Sequence, residues 1–312
     1  MSSSPSTSRC LAMVGLGRMG ANMSRRLARH GLAVRGFDGD PEARRKLLDE
    51  PGVTVHESLA EAVAALPAPR VVWLMLPAGE ITDATLEQAA ALLSPGDLIV
   101  DGGNANYLDS QRRGARLAER GIGFVDCGVS GGVHGLANGY CLMLGGHADS
   151  IALLDAVIGA LAPPSGRGWA HCGAIGSGHF AKMVHNGIEY GMMQALAEGC
   201  ALLSRRSDLI NDPADIAHAW REGSVIRSWL LDLTAQALED PQSLAEVAPF
   251  VADSGEGRWA VDEAIRQGTP IPVIAAALFT RFDSQGHADP ANRLLAMMRR
   301  GFGGHAVRAT GP

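Results

Sequence analysis

CLAMVGLGRMGANMSRRLARHGLAVRGFD, residues 10–38, decides the architecture. Cys10–Gly15 is an apolar run of the length of a buried strand, and it ends in glycine. Gly15, Gly17 and Gly20 follow as G-x-G-x-x-G. A helical pattern then runs from Ala21 to His30 and is stopped by Gly31. A second β-rich run, Ala33–Asp38, closes the unit. Strand, glycine loop, helix and strand in this order read as a βαβ crossover.

Further β-rich runs lie at Val71–Leu76, Leu98–Asp101, Gly123–Asp126 and Cys141–Leu144. Helical segments near Glu80–Leu93, Asp109–Arg120 and Ser150–Leu161 separate them. Alternation of this kind predicts an α/β fold, a Rossmann-type doubly wound parallel sheet covered on both faces. Pro163–Gly178 is rich in proline and glycine, and beyond it helical patterns dominate. The expected organisation is a disordered leader over residues 1–9, a dinucleotide-binding domain over 10–178, an all-helical substrate and dimerisation domain over 179–298, and a tail over 299–312.

Composition narrows the class. With 312 residues, 46% of them hydrophobic and 19% charged, the chain can bury a sizeable core, which excludes a disordered or fibrous protein. Its 39 glycines follow no Gly-X-Y period and so mark tight turns and close backbone approaches. A net charge of −6 gives no general attraction to nucleic acid. Cys10, Cys127, Cys141, Cys172 and Cys200 are scattered, which argues against a disulfide framework or structural zinc and predicts buried, reduced thiols in a cytoplasmic protein. No run reaches the ~18 apolar residues that span a bilayer, and no metal site is expected.

The glycine loop, Gly15, Leu16, Gly17, Arg18, Met19 and Gly20, is the candidate cofactor cradle. The first glycine permits the turn, the second admits a pyrophosphate, and the third lets helix and strand pack closely. The helix N-terminus adds unpaired N–H groups and a positive dipole. Asp38 stands 18 residues after Gly20, at the end of the second strand. A carboxylate there accepts from a ribose 2′-OH and repels a 2′-phosphate, so NAD is expected over NADP. Arg44 and Arg45 supply the counter-reading, since either could reach a phosphate.

The segment GSGHFAKMVHNGIEYGMM, residues 176–193, carries a polar stripe. Lys182, His185, Asn186 and Glu189 fall at i, i+3, i+4 and i+7, on one face of a helix whose other positions are apolar or small. A solvated amphipathic face is the competing reading. Against it stand His and Asn, poor helix formers, beside Lys and Glu two turns apart. Lys182 and Glu189 would lie ~10.5 Å apart along the axis, close enough to converge on one small molecule. A lysine in a cleft loses its proton readily and can serve as base. Asn104 in Asp101-Gly102-Gly103-Asn104 and Ser130 in Val129-Ser130-Gly131-Gly132 follow sheet strands, where ligands bind in open α/β sheets. Their Gly-Gly pairs could offer backbone N–H groups to an anion.

These motifs together resemble the 6-phosphogluconate dehydrogenase family, decarboxylating members of the β-hydroxyacid dehydrogenase superfamily, in its shorter, NAD-associated form. The resemblance rests on GLGRMG (15–20), DGGN (101–104), VSGG (129–132), GSGHFAKMVHNGIEYGMMQ (176–194), GSVIRSWLL (223–231) and RRGFGGH (299–305). It implies oxidative decarboxylation of 6-phosphogluconate to ribulose 5-phosphate, with Lys182 as general base toward the C3 hydroxyl and Glu189 as the acid that protonates C1. It implies substrate contacts from Asn104, Ser130, Gly131, Gly132, His185 and Asn186, and sugar-phosphate contacts from Tyr190, Arg281 and Arg299. Leu76, Pro77 and Asn104 are placed beside the cofactor. Arg299 and His305 would reach the partner's site in a homodimer or tetramer. One group must lose a proton while another holds one, so Lys182 neutral and Glu189 protonated are expected, both tuned by burial.

The chain departs from the long form in three places. Asp253-Ser254-Gly255-Glu256-Gly257-Arg258-Trp259 stands where K-G-T-G-K-W contacts phosphate; Glu256 there would repel a phosphate and Arg258 could compensate. Leu76-Pro77-Ala78 replaces V-K-A, and Val133-His134 stands where the long form has a glutamate. A β-hydroxyacid dehydrogenase for an unphosphorylated sugar acid or 3-hydroxyisobutyrate is the alternative; it would need Lys182 but neither Glu189 nor the arginines. A nucleotide sensor on the same fold would be expected to lose Lys182 or Glu189.

Overall fold

The computed structural model describes residues 8–303 and Ala306. The first unit, ending at Met183, alternates strands and helices. These are β1 (Cys10–Val14), α1 (Arg18–Arg29), β2 (Ala33–Phe37), α2 (Pro41–Arg45), β3 (Val53–Val55), α3 (Leu59–Ala64), β4 (Val71–Leu74), α4 (Glu80–Leu92), β5 (Leu98–Asp101), α5 (Tyr107–Ala118), β6 (Gly123–Ser130), α6 (Gly135–Asn138), β7 (Cys141–Gly146), α7 (Ala148–Leu153), α8 (Asp155–Leu161) and β8 (Trp169–Gly173). They build one sheet in the order β3-β2-β1-β4-β5-β6-β7-β8. Every neighbouring pair is parallel except β6 with β7.

Period-two alternation explains the double cover. β1 sends Leu11 and Met13 into one buried cluster and Ala12 and Val14 into another. β4 repeats this with Val71 and Trp73 against Val72 and Leu74. The first cluster includes Met23 and Leu27 of α1 and Val157 and Leu161 of α8; the second includes Ala62 of α3, Leu86 of α4 and Leu117 of α5. The strand order reverses direction between β1 and β4, which puts the first glycine loop at a topological switch point.

The second unit, from Val184 on, is helical throughout the described residues. α9 (Ser177–Ser204) runs unbroken from one unit into the other. It is followed by α10 (Pro213–Gly223), α11 (Trp229–Glu239), α12 (Pro241–Glu246), α13 (Glu256–Gln267), α14 (Pro272–Ser284) and α15 (Asp289–Gly303).

Several expectations need correction. β3 has only three residues, and β8 is an exposed edge strand, so neither offered an apolar pattern. The single helix expected over 150–161 is two, α7 and α8, parted at Leu154. Residues 1–7 of the expected leader lie outside the described residues, but Ser8 is buried, and its N–H donates to Leu153 O at 3.1 Å. The expected tail is helical from Arg299 to Gly303, because α15 continues through it. Cys141 and Cys172 are exposed rather than buried, the one as the first residue of β7 and the other on the edge strand β8. Among the described residues no helix is long and apolar enough to cross a membrane.

Candidate active site

The three glycines of the first loop serve different ends. Gly15 has φ +92°, and a Cβ on it would stand 2.4 Å from Met75 O. A Cβ on Gly20 would stand 1.9 Å from Gly15 O. Those two are required by the protein's own packing. Gly17 is not: no atom lies within 4 Å of where its Cβ would be. Gly17 is the residue before α1, which has no side-chain cap and no acid in its first turn. Open space before uncapped helix N–H groups is a cradle suited to a diphosphate.

Asp38 holds this loop in place. Its Oδ2 accepts from Leu16 N–H at 2.6 Å and its Oδ1 from Asp40 N–H at 2.8 Å. Each oxygen keeps a further lone pair for a ribose hydroxyl. Arg44 donates to Asp38 O at 2.7 Å and pairs with Glu57 at 2.8 Å, while Arg45 pairs with Glu42. Arg44 is thus held against Asp38, whereas the Arg45–Glu42 pair lies on the surface with both side chains more than half exposed.

The loops after β4 and β5 lock together behind the cradle. A Cβ on Gly103 would stand 2.3 Å from Leu76 O, and one on Gly102 would stand 2.2 Å from Trp73 Nε1. The N–H of Gly102 donates to Leu74 O at 2.8 Å, and that of Gly103 points to Asp101 Oδ1 at 3.3 Å. This Gly-Gly pair therefore serves packing and does not offer its N–H groups to an anion, contrary to expectation. Asn104 beyond it is exposed, as is Pro77, and Leu76 packs toward Gly15. Asp101 is buried and takes Arg113 at 2.9 Å; the same guanidinium takes Asp83 at 2.7 Å. Burial would push the Arg113 pKa down, but the two carboxylates outweigh it and the net shift is upward.

β6 positions Lys182. Its residues Asp126, Gly128 and Ser130 share a face by the period of two. Asp126, fully buried, accepts from Gly176 N–H at 2.6 Å and His179 N–H at 2.8 Å, which pins the start of α9. Burial pushes its carboxyl pKa up, against the pull of His179 and the two N–H donors. His179 Nδ1 lies 2.7 Å from Ser110 Oγ. A Cβ on Gly128 would stand 2.4 Å from Lys182 Cβ, and one on Gly178 would stand 2.4 Å from Met143 O. Bare backbone at these points lets α9 press onto the sheet, with the Lys182 stem laid on β6 and the residue only 9% exposed. Gly131 and Gly132, both at positive φ, turn the chain just past Ser130. Asp126, Gly128 and Gly178 were missed as positioning groups; the D-x-G-x-S alternation of 126–130 was the signal for the first two. Cys127 faces the other way, fully buried, and burial pushes its thiol well up.

In the second unit the remaining stripe residues gather around α13. His185 Nδ1 is 3.0 Å from Asn186 Oδ1 and 3.8 Å from Glu189 Oε2. Asn186, 8% exposed, donates through Nδ2 to Glu256 Oε1 at 3.0 Å. Ser254 Oγ donates to Glu256 Oε2 and lies 3.2 Å from the Tyr190 hydroxyl. The Arg281 guanidinium stacks on the Tyr190 ring at 3.4 Å and donates to Ala252 O at 2.8 Å. Glu256 is thus a buried acceptor for Asn186 and Ser254. Arg258 does not compensate it: it pairs with Asp253 and lies over Phe282 at 4.3 Å. Glu189 is partly exposed, its side chain at 40%, so the burial expected of it is absent from the chain alone. Arg299 is exposed on α15, and His305 lies outside the described residues.

Residues 10–176 match the family model for the NAD binding domain of 6-phosphogluconate dehydrogenase, and residues 178–301 match the model for that enzyme's C-terminal domain. The chain belongs to the 6-phosphogluconate dehydrogenase family. Within this family it is 41% identical over 300 residues to the NAD(+)-dependent, decarboxylating 6-phosphogluconate dehydrogenase of Haloferax volcanii, covering 95% of this chain and 98% of that one. It is 35% identical over 286 residues to the decarboxylating 6-phosphogluconate dehydrogenase of Lactococcus lactis, covering 87% of this chain but only 60% of that longer one. The 6-phosphogluconate dehydrogenase of Plasmodium falciparum is similar in structure, with a TM-score of 0.82 at 26% identity, over 96% of this chain and 66% of that one. The family is one of decarboxylating oxidoreductases, and this chain carries its NAD-binding domain.

Proposed function

We propose that the chain oxidises and decarboxylates 6-phosphogluconate to ribulose 5-phosphate, using NAD. The observation that carries this reading is the seating of Lys182 on the bare β6 backbone at Gly128, with His185, Asn186 and Glu189 following on the same helix face. NAD, when bound, accepts the hydride from C3 of the substrate. Lys182 takes the proton of the C3 hydroxyl as that hydride leaves. The 3-keto acid so formed loses CO2 with its own ketone as electron sink, and Lys182 returns the proton to the enol oxygen. Glu189 delivers a proton to C1 while Lys182 takes the enol O–H proton back, which turns the enediol into the ketone. Asn104, Ser130, Gly131, Gly132, His185 and Asn186 hold the sugar acid, and Arg281 with Tyr190 meets the phosphate. Gly15–Gly20 and Asp38 hold the cofactor, with Leu76 and Pro77 beside it. The Asp38 carboxylate, which accepts from a ribose hydroxyl and repels a 2′-phosphate, favours NAD over NADP.

We also propose that two copies of the chain associate. The second unit exposes large apolar side chains: Ile188 at 52%, Trp229 at 49%, Val273 at 67% and Phe279 at 57%. A contact with a second copy would cover side chains of this kind. Arg299 and His305 would then complete the partner's phosphate site.

The test is to follow NADH and CO2 together. Purified protein is given 6-phosphogluconate or gluconate, each with NAD or NADP. Equal yields of NADH and CO2 with 6-phosphogluconate alone are expected. NADH without CO2, or turnover of gluconate alone, overturns the reading.

A further inference from the structure

Two hydrogen-bond chains end on one carboxylate that is 2% exposed. In the first, His185 Nδ1 stands 3.0 Å from Asn186 Oδ1, and Asn186 Nδ2 donates to Glu256 Oε1 at 3.0 Å. In the second, the Tyr190 hydroxyl stands 3.2 Å from Ser254 Oγ, and Ser254 donates to Glu256 Oε2. Both oxygens of Glu256 accept here, which dictates the direction of every donor behind them. Asn186 must turn its NH2 group to Glu256, which leaves its carbonyl for a proton on His185 Nδ1. Ser254 spends its own proton on Glu256, which leaves its oxygen to accept from Tyr190.

We propose that Glu256 is a positioning residue that sets the His185 tautomer and the direction of the Tyr190 hydroxyl. The inference rests on the proposed roles of His185, Glu189 and Tyr190 toward the substrate. Its chemical consequence lies in competition for one proton. The Nδ1 proton of His185 goes to Asn186 at 3.0 Å rather than to Glu189 at 3.8 Å, so the Glu189 carboxyl stays available to give its proton to carbon. A glutamine at 256 could still accept from Asn186 through its carbonyl. Its NH2 group would donate to Ser254 and reverse the Tyr190 chain. An alanine would release both chains.

The experiment compares wild type, Glu256→Gln and Glu256→Ala by long-range proton–nitrogen correlation spectra of the histidine rings. The His185 signals are identified by their loss in His185→Gln. The NAD dissociation constant, and kcat and KM with 6-phosphogluconate, are measured alongside. Wild type is expected to carry the proton on Nδ1 of His185. Glu256→Ala is expected to lose that preference and at least tenfold in kcat, with NAD affinity within twofold. Glu256→Gln is expected to keep the tautomer and most of kcat while KM rises severalfold. An Nε2 proton in wild type overturns the proposal, as does an unchanged tautomer in Glu256→Ala. Should the alanine variant fail to fold, unchanged kcat and KM in Glu256→Gln overturn it. If wild type does not turn over 6-phosphogluconate, the proposed reaction fails, while the tautomer spectra still decide the role of Glu256.

Discussion

Gly17 and Gly20 share a motif but not a reason. Gly17 has φ −60°, which any residue adopts, and open space where a Cβ would go. Gly17→Ala is expected to leave thermal stability nearly unchanged and to weaken NAD binding about tenfold, roughly 1.4 kcal/mol. Gly20→Ala puts its Cβ against Gly15 O and is expected to cost about 1–3 kcal/mol. Urea melts with NAD titrations separate the two, and equal stability losses would refute the distinction. Lys182 and Glu189 follow a similar contrast, one laid on the sheet and the other half open.

Two buried carboxylates hold the elements that carry the site. Asp126 pins the first turn of α9 through two N–H groups. Asp126→Asn offers one oxygen in place of two, so one buried N–H loses its partner, at a cost of about 1–3 kcal/mol. A lower kcat is expected with it, because Lys182 sits one turn further on, and kcat equal to wild type would separate Asp126 from the positioning of Lys182. Arg113 ties α5 to β5 and α4 through Asp101 and Asp83. Arg113→Met strands Asp101 in the interior and is expected to cost about 3–5 kcal/mol in a denaturation curve. Burial would raise the Asp83 pKa, but Arg113, with Arg112 and Arg116, brings it below its ordinary 3.8. A carboxyl lowered on folding stabilises above its unfolded pKa and loses that contribution as pH falls through the folded one. The stability gap between wild type and Asp83→Asn should therefore be full above pH 3.8 and close below it; a gap independent of pH would refute this.

For the whole molecule, the apolar side chains exposed on the second unit predict self-association. Sedimentation velocity is expected to give twice the chain mass at micromolar concentration. Substitution of Phe279 and Val273 by polar residues should return it to the monomer. A wild-type monomer at tens of micromolar would sink the proposed dimer.

The sequence by itself determined the doubly wound sheet, the glycine loop with its acid, and the polar face of α9, because each depends on local periods of two, of 3.6, or on spacing along one strand–loop–helix unit. β3 and β8 escaped it, the one too short and the other too exposed for a pattern. Only the tertiary structure decided why particular glycines are there. Gly102 and Gly103 resemble an anion cradle in sequence, and packing against Trp73 and Leu76 makes them spacers. Glu256 resembles a group that would repel phosphate, and folding buries it as the acceptor of Asn186 and Ser254. Asn186 and Glu256 are 70 residues apart in the chain, and a hydrogen bond between such groups exists only once α9 and α13 have packed.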